Sequence, residues 1–128
     1  QRSDLEGGVV SIFFDNMVDN KDIFIFGDGN QTRDWVHVDD VVTAFNLARE
    51  NSLIPDFFLA CLGTAKGNKL IDLFRMLSEF TNYNKEPIFL DAKRGDIKEM
   101  ILSSEACKKF LDWTPNISLH EGIKKFNQ

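Results

Sequence analysis

Apolar residues recur at helical spacing near the start of the chain, at Val9, Val10, Ile12, Phe13, Phe14, Met17 and Val18, with Asp15, Asn16 and Asp19 on the other side. This spacing predicts a first amphipathic helix. The pattern then changes period. Ile23 to Phe26 is a short β-rich run cut off by Gly27 and Gly29, which predicts a strand entering a turn, and "RDWVHV" alternates as a second strand. Val41, Val42, Ala44, Phe45, Leu47 and Ala48 are apolar almost all round, so this stretch predicts a helix, capped by Asp39 or Asp40 and buried on more than one side.

"DFFLACLG", ending at Gly63, is a nearly continuous apolar run of the kind that suits a strand covered on both faces. Past the "TAKGN" turn, Asn68 is a candidate cap for the amphipathic "KLIDLFRMLSEFTN". Strand "EPIFLDA", loop "KRGD" and strand "KEMILS" follow. Ser103 or Ser104 then caps "EACKKFL", and "LHEGIKKF" closes the chain as a short helix. No repeat and no low-complexity linker interrupts this α/β order, and one domain is the default for 128 residues.

Composition narrows the function. Fifteen basic against twenty acidic residues give a net charge of -5, which offers no electrostatic footprint for nucleic acid or an anionic membrane. No apolar run approaches the ~20 residues of a spanning helix, and no signal pattern opens the chain. A cytoplasmic protein is expected. Cys61 and Cys107 are far apart in the sequence and read as reduced packing residues. His37 and His120 have no ligand-spaced partners, so neither a metal site nor a catalytic nucleophile is assigned.

Two cationic elements remain. Arg33 follows a glycine turn, and a guanidinium is a rigid five-donor fork suited to phosphate oxygens, although a surface pair with Asp34 or Asp28 accounts for it equally well. "KRGD", Lys93 to Asp96, also follows a strand, and two such loops can converge on one diphosphate; a solvated charged turn is the plainer reading. Phe24 and Phe26 share one face of their strand, where core packing is the ordinary fate of phenylalanine, while the backbone there is free to bond a flat ring. Trp35 either walls a pocket or joins the core.

"FGDGNQTRDWVHVDDVV", "LGTAKGNKLIDL", "AKRGDIK" and "LDWTPNISLHEGI" occur in that order. In this they resemble the C-terminal half of extended short-chain dehydrogenase/reductases, above all UDP-glucose 4-epimerases and related NAD-dependent nucleotide-sugar epimerases and dehydratases. The resemblance covers essentially the whole chain. It implies a nucleotide-sugar-binding lobe with a small mixed sheet and about five helices, plus a helix and strand, residues 40–63, that complete the Rossmann sheet of a dinucleotide-binding half. It also implies that Phe24, Ile25 and Phe26 contact the base through their backbone, that Arg33 reaches the diphosphate, and that Trp35 lines the same site. Arg94 and Asp96 match the second arginine and the ribose-binding aspartate of the family's "RPGD" loop, with Lys93 the substitute if the alignment is ungapped. "LACLGTAKG" departs from the family's "YNVGTG".

These 128 residues contain no glycine-rich fingerprint after an opening strand and no tyrosine and lysine four apart; Tyr83, the only tyrosine, is followed at that distance by Pro87. Since "QRSDLEGGVV" also begins without methionine, the resemblance implies a fragment, residues 1–128 being the substrate domain of a longer enzyme. NAD and the catalytic tyrosine then belong to the preceding half, and the chain alone is expected to be inactive. The expected substrate is a nucleotide sugar such as UDP-glucose or UDP-galactose, epimerised through a 4-keto intermediate, and the full-length protein is expected to be a homodimer. The alternatives are a 4,6-dehydratase or decarboxylase of the same superfamily, or a non-catalytic nucleotide-sugar-binding domain. Phe45, Leu47, Phe57 and Leu59 should need a partner that the other half supplies.

Overall fold

A computed structural model describes residues 8–51 and 59–127. The chain forms two compact units: one built from the chain up to Gln31 together with Lys69–Lys98, the other from Thr32–Asn68 together with the chain from Glu99 onward. Among the described residues no helix is long and apolar enough to cross a membrane.

In the first unit, helix α1 (Val9–Val18) lies against helix α3 (Leu70–Thr81). Their periodicity dictates the contact, since Val10, Phe13 and Met17 share one face of α1 while Leu73, Phe74 and Leu77 share one face of α3, and all six are buried. The rings lock edge to face, Phe13 on Phe74 with centroids 6.4 Å apart and Phe74 on Tyr83 at 6.2 Å. The Tyr83 hydroxyl donates to the carbonyl of Lys21 at 2.9 Å, which satisfies its one polar group inside the core. Strands β1 (Phe24–Phe26) and β4 (Ile88–Leu90) pair in parallel, Phe24 opposite Ile88 and Phe26 opposite Leu90. Ile25, at the middle of β1, is 0% exposed, whereas Phe24 is exposed and Phe26 only partly buried. The two phenylalanines therefore do not take the core role that is ordinary for the residue, because Ile25 alone occupies the inward position.

In the second unit, strand β2 (Thr32–Arg33) pairs in parallel with β5 (Glu99–Met100). Strand β3 is Asn68–Lys69. Helix α2 (Val38–Glu50) packs on α4 (Glu105–Leu111) around Ala44, Cys107, Leu111 and Trp113, and Val36, Leu47, Ala48, Ala60 and Leu62 pack against that cluster. Helix α5 (Leu119–Lys124) and a 3-10 turn end the described chain.

Several local expectations are corrected. His37, not Asp39 or Asp40, caps α2, its Nδ1 accepting from the Asp39 amide at 3.2 Å. Asp40 is instead turned inward to bind a distant segment. Asn68 is a strand residue, and α3 starts after Lys69 with no side-chain cap. The second strand stops at Arg33 and does not run through "RDWVHV", because the Asp34 carboxylate takes the backbone donors that a continuing ladder would use. Residues 59–63 are not a strand, and residues 56–58 of that run lie outside the described residues, as does Phe57. Leu47 packs on the Trp113 cluster, so it has a partner in this chain. By contrast Phe45 is 68% and Leu59 80% exposed.

The last helix begins with a reciprocal cap: Ser118 Oγ accepts from the Glu121 amide, and Glu121 Oε2 accepts from the Ser118 amide at 2.9 Å. The bonds from Ser118 hold the Glu121 carboxyl below its ordinary value. A depressed folded-state value contributes stability above the unfolded value and loses it as pH falls through the folded one. Ser118→Ala is accordingly expected to lower the Tm by a few degrees at neutral pH, with the difference from wild type shrinking in acid, as scanning calorimetry across pH will show.

Candidate nucleotide-binding residues

In the first unit the expected base-binding strand ends at Gly27, whose amide donates to the Leu90 carbonyl at 2.9 Å and so joins the ends of β1 and β4. Gly27 and Gly29 both have positive φ, 79° and 75°, a conformation that costs a side chain about 1 kcal/mol. The chain reverses through Asp28, whose carboxylate accepts from the Asn30 amide and side chain, both at 2.9 Å. Those bonds, the side-chain one foremost, hold the Asp28 carboxyl below its ordinary value.

This turn does not have the form of a dinucleotide cradle. It leads into a strand, not a helix, and the space at Gly29 is filled from within: a Cβ there would lie 3.1 Å from that of Ile71, whose amide donates to the Gly29 carbonyl at 3.0 Å. The described residues therefore do not fit NAD at this turn. Among them no group of three or more histidine, cysteine, aspartate or glutamate side chains is placed to hold a metal.

The loop after β4 carries the second cationic element. The Asp96 amide donates to the Lys93 carbonyl at 3.1 Å, and Gly95 has φ 86°, so Lys93 to Asp96 is a β-turn with glycine at the third position, as a type II turn requires. Arg94 and Asp96 are exposed at its tip. Lys93 reaches back, its ammonium 3.9 Å from the centroid of the Phe26 ring. Phe26, Lys93, Arg94 and Asp96 thus belong to the C-terminal ends of the paired strands β1 and β4, Phe24 lies at the start of β1 opposite Ile88, and Ile25 can offer a ligand only its backbone.

In the second unit Arg33 is half-buried at the end of β2, one guanidinium nitrogen donating to the Thr32 carbonyl at 2.8 Å. Asp34, next to it, is bonded on both oxygens. It accepts from the amides of Thr64 at 2.9 Å, Ala65 at 3.1 Å and Leu102 at 3.2 Å, and from the Thr64 hydroxyl at 2.5 Å. This clamp fixes the base of the Arg33 side chain. Trp35 is half-buried and, since β2 has ended, does not share a strand face with Arg33. Sequence reasoning missed the clamp: the "GT" of Gly63 and Thr64 carried the signal, but as a turn and not as a pair of donors for a carboxylate thirty residues earlier.

Residues 1–58 match the NAD dependent epimerase/dehydratase family. The chain is 36% identical over 122 residues to a putative UDP-glucose 4-epimerase of Methanocaldococcus jannaschii, covering 94% of this chain and 38% of that protein. It superimposes on the crystal structure of UDP-glucose 4-epimerase with UDP-glucose from Thermotoga maritima with TM-score 0.90 and 41% identity, over 97% of this chain and 39% of that one. A UDP-glucuronic acid 4-epimerase from Bacillus cereus, in complex with UDP-glucuronic acid and NAD, matches at TM-score 0.87 and 25% identity. The chain spans little more than a third of the length of these relatives. With its mixed helices and small sheets matching theirs, the chain belongs to the NAD dependent epimerase/dehydratase family of extended short-chain dehydrogenase/reductases.

Proposed function

We propose that the chain is the nucleotide-sugar-binding part of an NAD-dependent nucleotide-sugar epimerase, acting on UDP-glucose and UDP-galactose through a 4-keto intermediate. NAD and the proton-transferring residues are then supplied by a dinucleotide-binding half that these 128 residues do not contain. The observation that carries this reading is the match to the Thermotoga maritima enzyme, whose crystal structure contains UDP-glucose. Phe24, Ile25 and Phe26 are assigned to the base, Arg33 and Arg94 to the diphosphate, Asp96 to the ribose, and Trp35 to the wall of the site. Arg94 is preferred to Lys93 for the second phosphate contact because Lys93 is directed at Phe26.

Such a division of labour has a physical rationale. Fixing the diphosphate uses binding energy remote from the reacting carbon to orient the sugar, and the guanidinium keeps its charge at every working pH. The exposed apolar residues Val42 and Phe45 of α2, together with Leu59, support the assignment of residues 40–63 to an interface with the dinucleotide-binding half.

The test is an assay of the enzyme carrying both halves with UDP-glucose and UDP-galactose. Interconversion is expected, and Arg33→Ala should lower kcat/KM by about 10- to 100-fold through the lost charge-assisted bonds. Formation of a 4-keto-6-deoxy product or loss of carbon dioxide from a glucuronate substrate would favour the dehydratase or decarboxylase reading. The absence of any turnover, with nucleotide binding retained, would favour a non-catalytic binding domain.

A further inference from the structure

One carboxylate joins three segments of the second unit. Asp34 Oδ1 accepts from the Thr64 amide at 2.9 Å and from the Thr64 hydroxyl, and Oδ2 accepts from the amides of Ala65 at 3.1 Å and Leu102 at 3.2 Å. A carboxylate has about four acceptor positions, and donors from the turn at residues 64–65 and from the chain after β5 take them all. Asp34 is therefore withheld from the arginine beside it and does not cancel its charge. Gly63 permits this close approach, since a Cβ there would lie 2.8 Å from Asp34 Oδ2. The turn is shaped to the carboxylate in return: Ala65 has φ 55°, a left-handed conformation that disfavours a side chain, and its amide is aimed at Oδ2.

We propose that Asp34 is a positioning residue of the nucleotide-sugar site: by binding Thr64, Ala65 and Leu102 it anchors the chain at the end of β2 and so directs the guanidinium of Arg33, its charge not cancelled by its neighbour. This rests on the reading above that Arg33 meets the diphosphate, and it adds what holds the arginine ready for it. β2 ends at Arg33, so no strand ladder fixes the backbone beyond that residue, and the bonds to Asp34 take the ladder's place. An arginine stem has much rotamer freedom to lose on binding, and a fixed backbone beneath it reduces what else must be ordered. Thr64 supplies two of the four bonds, from its amide and its hydroxyl, and is the other half of the device.

The test is a double-mutant cycle on this chain, read by calorimetric titration with UDP at a temperature where every variant is folded. Asp34→Asn turns an amide donor toward backbone donors and should weaken UDP binding about three- to tenfold; Thr64→Val should weaken it about two- to threefold, with Thr64→Ser restoring it. In an Arg33→Ala background, Asp34→Asn should cost nothing further, because the side chain it positions is gone. Asp40→Asn, which shares no residue with the clamp, should lower the melting temperature and leave UDP affinity unchanged. An equal loss from Asp34→Asn with and without Arg33 would make the clamp a support of the fold alone and overturn the proposal, as would wild-type affinity in both Asp34→Asn and Thr64→Val. If Arg33→Ala by itself leaves UDP affinity unchanged, the assignment of Arg33 to the diphosphate fails, and the proposal with it.

Discussion

Asp40→Ala is expected to destabilise the second unit by about 3 kcal/mol, and to lower its melting temperature by on the order of 10 °C. Asp40 is only 4% exposed although it sits in the first turn of α2. Its two carboxylate oxygens accept from the amides of Asn116 at 3.1 Å and Ile117 at 3.0 Å, and its carbonyl accepts from the indole of Trp113 at 2.9 Å. Truncation leaves the backbone donors of Asn116 and Ile117 without the carboxylate in a part-buried site, each costing about 1–3 kcal/mol, and removes an acidic group from a helix N-terminus. Trp113, 2% exposed at the centre of the core cluster, keeps its bond, since the Asp40 backbone carbonyl survives the substitution. Asp40→Asn keeps one acceptor oxygen and should fall between, so thermal melts of the two variants rank the carboxylate bonds against simple loss of volume.

Gly63→Ala is the second large effect, and its cause is space, not backbone conformation. A Cβ on Gly63 would lie 2.6 Å from the Cβ of Leu102, 2.9 Å from its carbonyl oxygen and 2.8 Å from Asp34 Oδ2. Two of these three neighbours are atoms that cannot rotate away, so the chain segments must part. Overpacking of this kind costs about 1–3 kcal/mol. The segments that part are those the Asp34 clamp joins, and Arg33 precedes Asp34. Gly63→Ala is thus expected to weaken nucleotide binding as well as stability, whereas Asp40→Ala acts on stability alone at temperatures where the protein is folded. Calorimetric titration with UDP, run beside thermal melts, separates the two variants.

What the sequence reveals and what it hides divide along physical lines. Helices α1, α3 and α4 and strands β1 and β4 are legible because each is specified locally, by apolar periodicity or by a glycine that ends a run. Asp34 and Asp40 are not legible, since their partners lie 30 to 77 residues away and the carboxylate does the work of a cap or a ladder that local rules assign to other groups. Of the strand expected over 56–63, the described part, 59–63, is not a strand for a related reason: an apolar run becomes a strand only beside a partner, and residues 59–63 have no ladder among the described residues. For the site, Arg33 and the "KRGD" turn are visible as cations next to glycine, but the commitment of Lys93 to Phe26 depends on the pairing of β1 with β4, which no spacing in the sequence encodes.

Titration of this chain with UDP by calorimetry, beside Arg33→Ala and Arg94→Ala, bears most directly on the nucleotide assignment. Each substitution is expected to weaken binding by about 1.5–3 kcal/mol, the worth of charge-assisted bonds from a guanidinium to phosphate. Affinity left unchanged by both substitutions, or no heat of binding from wild type at millimolar UDP, would contradict it.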